Sequence, residues 1–551
     1  MKRLTWTILV LSLMTLALSC QVLCFSRCKS NIELKRAITK ERVIALKDNQ
    51  SYTVSKKVDL KGKTLFFPKG CTVVFKGGVI KNGVIQFDST KIEGQPSFVN
   101  CNYLGNISID NIDDRCFGSQ DETGTFRFLL INAIDNGVRC DFNKNYRISM
   151  EDASTLDGLL SFREIDSGAD IYFHGNTISN NYPFRSEAIK PVIVFHNVKN
   201  VTFHDLYFHD DDEHHCRRHK RSMGCTFIQC YGDCEGVNLL NCSQENGDCI
   251  LRSGVWVHNE TRPEDTPRRG LYNSVLRVCS KNVGYGLVLY CGDSLDLDIT
   301  VTNPHRGFYC TGVSNSKIRY EGYNPLETKT HILIKDAVYL RTNATGKEVL
   351  DMKGCDHLDI TAIIPKIQSG ERVIGFQSYG TGLKEGADFR FRSDKCHHRD
   401  IRVTASIKRA PETGFFHICE FLRDSGAQDE SDIKGCKVSG LVLHDIQNSE
   451  GTTGRYLCNL EDFAEVDAEI IDCGINEGQK EVVPYLVQVK GNAKGNLTIT
   501  NSKLGGVLIR EKNNGQINVE IDSKSVLNNG MNYINDGTNR SLVRLTRQKG
   551  K

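Results

Sequence analysis

The sequence has very little tryptophan and proline: 2 Trp and 11 Pro in 551 residues, against 48 Gly. A proline cannot donate a backbone hydrogen bond to a neighbouring strand, so few prolines and many glycines favour frequent turns between fully paired strands. The net charge is only +3, which provides no overall positive field for nucleic acid. With 39% hydrophobic and 25% charged residues, the composition is that of a globular protein rather than a disordered one.

Beyond the N-terminus, the sequence lacks any apolar run near the roughly 20 residues that a membrane-spanning helix requires. Residues 1–24 instead predict a secretory signal, because Lys2 and Arg3 precede the run LTWTILVLSLMTLAL. The sequence allows two ways of processing this signal, namely cleavage after Ser19 or lipidation of Cys20. We therefore expect export to the periplasm, the outer-membrane surface or the extracellular space, with a lipid anchor at Cys20 as the alternative and no transmembrane span.

Cysteine is abundant, and all but two of the 22 cysteines follow residue 24. Such a number in an exported protein favours disulfides. Many of these cysteines, however, lie inside apolar strand patterns such as RVCS, LYCG and FYCTG, where a free thiol packs as a small core residue. We predict mostly buried thiols, notably Cys249, Cys279 and Cys310. The best disulfide candidates are Cys225, Cys230 and Cys234, whose spacing matches no zinc pattern.

The chain is built from repeats. Residues 32–54 and 128–148 each show a short helical pattern, a strand, an Asn-rich turn and another strand. Between them, residues 61–94 alternate short apolar strands with Gly-containing turns. From about 192 to 523, alternating strands recur, and a turn and a second strand follow most of them. Coils of about 20 to 30 residues with two or three short strands are solenoid repeats, whose stacked coils share one core.

Two segments make the resemblance specific. Residues 61–87, KGKTLFFPKGCTVVFKGGVIKNGVIQF, resemble an entry coil, and residues 117–137, FGSQDETGTFRFLLINAIDNG, resemble a capping segment of the pectate-lyase-like superfamily in its exported bacterial form. The resemblance implies an all-β, right-handed, single-stranded parallel β-helix with a short N-terminal capping helix. We expect entry coils and cap at 25–150, the β-helix at 151–530 and a basic tail at 531–551. This superfamily includes lyases, hydrolases, esterases, tailspikes and non-enzymatic surface proteins, so the fold does not select an activity.

Aligning the coils on their second strands places Asp248, Tyr285 and Arg306 in one column, about 4.8 Å apart, with His305 beside Arg306. We predict this column to be catalytic. Asp248 can donate a proton to a glycosidic oxygen, Arg306 can hold a uronate carboxylate or sulfate, and Tyr285 or His305 can act as the base. The alternative is that all four are ordinary polar residues at strand starts.

The segment 234–254, CEGVNLLNCSQENGDCILRSG, also resembles the region of polygalacturonase-type hydrolases that carries two adjacent aspartates. Here Gly247 and Asp248 occupy those places. An inverting hydrolase needs two carboxylates, and only one is present in this motif. The resemblance therefore does not extend to that mechanism.

Two insertions flank the predicted column. The first, 209–221, is HDDDEHHCRRHKR, and the second, 256–270, is WVHNETRPEDTPRRG. Carboxylates of the first can bind Ca²⁺, the candidate cofactor, and its histidines can bind a softer metal, although a solvated charged loop is the alternative. The predicted metal ligands are Asp211, Asp212 and Glu213, and the predicted substrate-binding residues are Arg252, Arg268, Arg269 and His215.

The leading functional hypothesis is an exported polysaccharide lyase or glycoside hydrolase acting on a complex glycan, acidic glycans included. A lyase needs a cation on the uronate and a base, whereas a hydrolase needs a second carboxylate, which the run 210–213 can supply. The alternative is a non-enzymatic surface β-helix that binds glycan or acts as a tailspike-like or structural protein. In both cases a polysaccharide is the expected partner and nucleic acid is not.

Overall fold

The structure is a computed structural model. It describes residues 31–154, 156–180, 190–211, 224–254, 270–326, 329–336, 355–368, 370–378, 399–409, 417–423, 437–444, 456–460, 465–471, 485–489, 494–504, 507–509, 516–527 and 542–547. Within these ranges, no helix is long and apolar enough to cross a membrane. The chain divides into two compact units, 1–143 and 144–551.

The first unit consists of short parallel strands and two α-helices. The helices are α1 (Leu34–Ala37) and α2 (Glu122–Asn136). The strands are β1 (Asn31–Glu33), β2 (Val43–Ala45), β3 (Ser51–Val54), β4 (Lys57–Asp59), β5 (Thr64–Phe67), β6 (Thr72–Phe75), β7 (Val79–Glu93), β8 (Phe98–Ser108), β9 (Asn111–Asp113) and β10 (Arg139–Asp141).

Strand β7 is the centre of the first unit, because it pairs in parallel with β4, β5, β6 and β8. Phe67 and Phe87 are register partners, and their rings stack 5.6 Å apart in the core. Helix α2 begins at a capped end, where Asp121 Oδ1 accepts a hydrogen bond from Gly124 N at 2.8 Å. Its Phe128 ring lies 5.9 Å from that of Phe87. The predicted short helix is therefore present and packs on the aromatic core.

The second unit contains the longer repeats. Its strands are β11 (Tyr146–Ile148), β12 (Leu160–Arg163), β13 (Asp166–Tyr172), β14 (Thr177–Asn180), β15 (Lys190–His196), β16 (Lys199–His204), β17 (Tyr207–Asp210), β18 (Cys225–Tyr231), β19 (Cys234–Glu245), β20 (Leu251–Ser253), β21 (Leu271–Tyr272), β22 (Val275–Lys281), β23 (Tyr285–Asp293), β24 (Asp296–Thr302), β25 (Arg306–Tyr323), β26 (Thr330–Asp336), β27 (Asp356–Ile367), β28 (Arg372–Ser378), β29 (Arg399–Arg409), β30 (His417–Arg423), β31 (Lys437–His444), β32 (Tyr456–Leu460), β33 (Glu465–Ile471), β34 (Tyr485–Val489), β35 (Lys494–Thr500), β36 (Lys503–Leu504), β37 (Val507–Ile509), β38 (Gln516–Ile521), β39 (Val526–Leu527) and β40 (Leu542–Arg547).

Among the described residues of the second unit, strands pair in parallel with the equivalent strands of the next coil. One stack runs β15, β18, β20, β23, β25, β26, and another runs β16, β19, β22, β24, β25, β27. In the described strands, hydrogen bonds to the coil before and to the coil after thus provide backbone partners on both sides. The chain is thus an all-β parallel β-helix, as its repeats predict.

The core consists of inward side chains in register. On β22, β24, β25 and β27 the register partners Leu276, Leu297, Ile318 and Ile360 are all at most 2% exposed. Their strand neighbours alternate between buried and exposed, as period-2 patterning requires. Burial of such columns is the main stabilising term in a solenoid whose coils cannot fold alone.

Asparagines shape the corners between coils. Asn282, Asn303 and Asn324 all have left-handed backbone angles, with φ of 54°, 50° and 51°. The side-chain amide of Asn303 donates to Asn282 Oδ1 at 3.2 Å, and that of Asn324 donates to Asn303 Oδ1 at 3.0 Å. Asparagine tolerates this conformation better than other non-glycine residues, and its amide both donates and accepts. The three residues therefore form a ladder along one corner of the β-helix.

Replacing Asn303 by Ala is expected to lower the free energy of unfolding by about 2–3 kcal/mol, the sum of two lost hydrogen bonds and backbone strain, measured by denaturant titration. The variant loses two ladder hydrogen bonds, each worth about 1 kcal/mol, and strains the backbone. Asn303→Gly is the matched control, since glycine accepts the left-handed angle. If both variants lose the same free energy of unfolding, backbone strain contributes nothing to the effect of the Ala substitution. If neither changes stability, the ladder is not a stabilising element.

The described cysteines are free, and most are buried. Cys249 and Cys310 are fully buried, as predicted. The prediction for Cys279 is wrong, because its side chain is exposed. Val278 and Ser280, its strand neighbours, point inward, so Cys279 occupies an outward position of β22. Cys225, Cys230 and Cys234 are also buried thiols in this structure.

Candidate functional site

Asp248 follows a tight turn at the start of the coil that contains β20. Asn246 and Gly247 both have left-handed backbones, with φ of 64° and 76°. The Asp248 N–H donates to Cys225 O at 3.0 Å, and the Asp248 carbonyl accepts from Tyr285 N at 2.8 Å. The turn therefore anchors Asp248 between the coil before it and the coil after it.

The carboxylate of Asp248 is enclosed, with 0% of the residue exposed. Its Oδ2 accepts hydrogen bonds from Arg252 Nη2 at 2.6 Å, from Arg252 Nε at 3.2 Å and from Thr226 Oγ1 at 2.9 Å. The thiol of Cys249 also donates to Oδ2, at 3.3 Å. Within the part of the chain that the structure describes, no hydrogen bond reaches Oδ1. The carboxylate therefore forms a buried ion pair with Arg252.

Arg252, predicted to bind substrate, is the partner of that carboxylate and is only 8% exposed. Its guanidinium lies 5.4 Å from the centre of the Tyr285 ring, in cation–π geometry. Burial is the largest single influence on the pKa of Arg252 and lowers it, but Asp248, Cys249 and two neighbouring tyrosines together hold that pKa well above its usual range. Arg252 thus balances the charge of Asp248 inside the protein.

Tyr285 and Arg306 are register partners on β23 and β25. Arg306 Nη1 donates to Tyr285 Oη at 3.1 Å, and the guanidinium carbon of Arg306 lies 5.7 Å from the centre of the Tyr285 ring. Tyr285 is 8% exposed, whereas Arg306 is partly exposed. The guanidinium groups of both Arg252 and Arg306 therefore contact the Tyr285 ring.

The predicted column is displaced by one position at its first member. Gly284 N donates to Gly247 O at 2.9 Å and Tyr285 N donates to Asp248 O at 2.8 Å. In a parallel ladder, this pattern places Asp248 opposite Gly284 and Cys249 opposite Tyr285. His305 is 8% exposed, and its backbone N–H donates to Val283 O at 2.8 Å. The structure therefore brings Tyr285 and Arg306 into direct contact, with Asp248 joined to them through Arg252.

A second buried carboxylate lies near Asp248. Asp210, at the end of β17, is 1% exposed and accepts a hydrogen bond from Cys225 N at 3.2 Å. Asp210 Oδ2 lies 3.0 Å from the position that a Cβ atom on Gly247 would take. Asn246 Nδ2 also donates to Asp210 O at 3.0 Å. The strand end at 210 and the turn at 246–247 are thus in contact across adjacent coils.

Asp211, a predicted metal ligand, forms an ion pair in which Arg147 Nη2 lies 2.6 Å from its Oδ2. Among the described residues there is no group of three or more His, Cys, Asp and Glu side chains that could hold a metal ion. The other members of the predicted metal and substrate-binding sets lie outside the described residues: Asp212, Glu213, His215, Arg268 and Arg269.

The outer face of the second stack carries a polar surface that the sequence analysis did not single out. Two columns of register partners run across β24, β25, β27 and β29, and the second extends onto β22, where the first has Val275. We call them the polar columns. The first contains Asp296, Lys317, Asp359 and Arg402, and the second contains Arg277, Asp298, Arg319, Thr361 and Thr404. All are exposed or partly exposed.

Carboxylates and cations alternate along the first column and over the first three positions of the second, which ends in two threonines. Arg277 Nη2 lies 2.5 Å from Asp296 Oδ2, and Arg319 Nη1 lies 2.8 Å from Asp298 Oδ1. Arg319 Nη2 also contacts Glu321 Oε2 at 3.2 Å. The charges therefore neutralise one another locally while their hydrogen-bonding groups still face water. The sequence shows charged residues at alternating, outward positions of successive strands. Only the strand register shows which of these charges lie next to each other.

An aromatic pair lies on the outer faces of β13 and β16. Tyr172 and His204 are register partners whose rings stack 4.1 Å apart with an interplanar angle of 3°. His204 Nε2 lies 3.3 Å from Asp170 Oδ1. Both rings are partly exposed, so their outward edges are available to a ligand.

No family model matches the chain, and no curated protein matches it either. Among solved structures, the chain is similar to the receptor-binding protein of bacteriophage Det7, described as a podoviral tailspike in a myovirus. The two are 10% identical, the match covers 93% of this chain and 78% of that chain, and the TM-score is 0.21. A structural similarity this low does not support any inference about function.

Proposed function

We propose that the protein is an exported, non-catalytic β-helix of the pectate-lyase-like superfamily that binds an extended, electrically neutral glycan along the polar columns. Export is proposed from the signal pattern at residues 1–24, whose Lys2 and Arg3 precede an apolar run. The glycan follows the axis of the coils. It crosses successive strands that present the same outward position about every 4.8 Å.

The observation that carries this proposal is the charge-balanced, solvent-facing polar surface on β22, β24, β25, β27 and β29. A neutral glycan offers hydroxyl groups, which accept from guanidinium and ammonium groups and donate to carboxylates. A polyanionic glycan would place its charges against Asp296, Asp298 and Asp359 as well as against the cations. The alternation therefore favours neutral over acidic polymers.

The enclosure of Asp248 supports a binding role over catalysis. A general acid must come within hydrogen-bond reach of the atom it protonates. The Asp248 carboxylate is instead 0% exposed and bonded to Arg252 and Thr226. A substrate therefore cannot reach this carboxylate unless the surrounding coils move, and its Oδ2 is already bonded to protein groups.

The experiment is a binding assay of the full chain on a panel of neutral and uronate-containing polysaccharides, with reducing ends measured in the same samples. We expect binding to neutral polymers without release of reducing ends. Arg319→Ala removes the cation that contacts Asp298 and Glu321, and it should weaken binding about tenfold, equivalent to about 1.4 kcal/mol.

The matched control is Arg115→Ala, which removes an exposed ion-paired arginine of the first unit, where Arg115 lies 2.6 Å from Asp113. This control should bind as the unmodified chain does. Binding restricted to uronate polymers, or equal losses in both variants, would contradict the proposal.

A glycoside hydrolase is the second candidate, because Asp210 places a second buried carboxylate beside the turn that leads into Asp248. Hydrolases of this type need two carboxylates flanking the scissile bond. Release of reducing ends that is abolished in both Asp210→Asn and Asp248→Asn, with the folded fraction unchanged, would establish this candidate over the binder.

A further inference from the structure

The two polar columns continue past β22 towards the N-terminal coils. Val275, which holds the position of the first column on β22, donates its backbone N–H to Asn238 Oδ1 of β19 at 2.8 Å. Leu239 of β19 is the register partner of Leu276 of β22. Leu240, the next residue, therefore extends the second column onto β19, just before the ladder shifts at a bulge.

The strand register carries both columns two coils further. Thr202 of β16 and Asp170 of β13 continue the first column from Asn238, and His204 and Tyr172 continue the second. The amide Nδ2 of Asn238 donates to Thr202 Oγ1 at 3.2 Å, which joins two members of the first column directly. From β13 to β29 the columns cross eight strands, a length of about 34 Å at the spacing of neighbouring strands.

The chemistry of this surface changes between β22 and β19. Beyond that point the second column consists of two aromatic rings and an aliphatic side chain, and the first consists of short polar groups. All six residues are exposed or partly exposed. We call them the aromatic end: Tyr172, His204 and Leu240 in the second column, and Asp170, Thr202 and Asn238 in the first.

The rings of the aromatic end hold one another in place. Tyr172 and His204 stack 4.1 Å apart at 3°, and the ring of His174 lies 5.9 Å from that of Tyr172 at 22°. On the other side, Asp170 Oδ1 lies 3.3 Å from His204 Nε2. Because these contacts already fix the side chains, a ligand that binds there costs little additional conformational entropy.

We propose that the aromatic end holds one sugar ring of the bound glycan by its C–H groups, and that the glycan is a β-1,4-linked polymer of gluco or xylo configuration. This inference rests on the proposed function, because it concerns the other end of the same glycan path. In these sugars every ring hydroxyl is equatorial, so the axial C–H bonds make both faces of the ring apolar. The β-1,4 linkage keeps the chain extended, as a straight path across eight strands requires.

The two columns divide the contacts of that sugar. Aromatic side chains offer a large apolar area with a polar tip, and the apolar side of the ring packs against Tyr172, His204 and Leu240. The hydroxyl groups reach Thr202 and Asn238, which both donate and accept hydrogen bonds. A sugar with an axial hydroxyl would place that group against the apolar column without a partner, which is unfavourable.

The test is titration calorimetry of the full chain with cellobiose, cellohexaose and maltohexaose. Cellohexaose should bind most tightly, because cellobiose is too short to reach both the aromatic end and the polar columns, and maltohexaose, with its α linkages, is curved. Tyr172→Ala should weaken cellohexaose binding about tenfold, through loss of a large apolar contact. Tyr172→Phe keeps the ring and should bind nearly as the unmodified chain does.

Two further variants separate the contact from a general effect on the fold. Leu240→Asp places a charge at the aromatic end without changing the stacked rings, and it should weaken cellohexaose binding as Tyr172→Ala does. The matched control is Tyr207→Ala. Tyr207 is a partly exposed tyrosine of β17, outside both columns, whose hydroxyl donates to Glu245 Oε2 at 2.8 Å. This control should leave the affinity unchanged, and circular dichroism verifies that each variant is folded.

The outcomes distinguish this inference from the function on which it rests. If no neutral polysaccharide or oligosaccharide binds, both fail. If Arg319→Ala weakens cellohexaose binding while Tyr172→Ala and Leu240→Asp do not, the aromatic end is not part of the site and the proposed function stands. If maltohexaose binds as tightly as cellohexaose, the β-1,4-linked class of ligand is wrong.

Discussion

Asp248→Ala is expected to lower the free energy of unfolding by about 3–5 kcal/mol, the usual cost of removing one partner from a buried ion pair. Arg252 is 8% exposed and its guanidinium bonds Asp248 Oδ2 through both Nη2 and Nε. Without the carboxylate, a buried positive charge loses its counter-ion. The measurement is denaturant-induced unfolding of both proteins, followed by circular dichroism.

Two controls separate the buried pair from ion pairs in general. Asp296→Ala breaks a pair with Arg277 whose side chains are 54% and 37% exposed, so it should cost at most about 1 kcal/mol. The double variant Asp248→Val with Arg252→Met removes both charges and should regain most of the lost stability. If Asp248→Ala left the free energy of unfolding unchanged, the Asp248–Arg252 ion pair would not stabilise the fold.

A different substitution, Asp248→Asn, decides between the two functional candidates. A sequence-only expectation is that Asp248→Asn removes a proton donor and leaves stability nearly unchanged. The enclosure of the carboxylate by Arg252 and Thr226 predicts the reverse, a loss of stability and no effect on glycan binding per folded molecule. Loss of turnover per folded molecule with unchanged stability would restore the catalytic interpretation.

The fold was predictable because its signals are local and repeated. Alternating strands, Gly and Asn turns and the FLLINAI helix each act over a few residues, and each coil repeats them. The prediction for Cys279 failed because the one-residue phase of β22 decides which side chains face the core. Val278 and Ser280 took the inward positions, and a shift of one residue exchanges the two faces.

The candidate site was less predictable because it depends on turns and on contacts between coils. Asp248 and Arg252 are four positions apart, which spans about 13 Å in an extended strand. They meet because β20 begins only at Leu251, so the chain between them is not extended. Because of the turn at Asn246 and Gly247, Asp248 also lies one position away from the Tyr285–Arg306 column. The repeat pattern in the sequence does not indicate this shift.

Gly307→Ala is expected to cost about 3 kcal/mol, the upper end of the range for overpacking a core. A Cβ atom on Gly307 would lie 1.8 Å from His331 O and 2.7 Å from Tyr320 Oη. The nearest obstacle is a backbone oxygen, which cannot move without shifting β26 against β25.

The space beside Gly307 is occupied by a buried polar network. His331 Nε2 lies 3.1 Å from Glu371 Oε2, and His331 Nδ1 lies 3.4 Å from Tyr320 Oη. These three residues are at most 1% exposed. Displacing His331 would leave the Glu371 carboxylate buried with a weakened partner, which adds a desolvation penalty to the steric cost.

Gly168→Ala is the control for this last prediction. Gly168 has φ of 78° with no atom within 4 Å of the added methyl position, so its cost is backbone strain alone, about 1–2 kcal/mol. Denaturant unfolding of both variants measures the difference. A Gly307→Ala variant no less stable than Gly168→Ala would show that β26 and the His331 network move aside without cost. A larger loss for Gly307→Ala means that the glycine is required by the network packed against it, not by its own backbone angle.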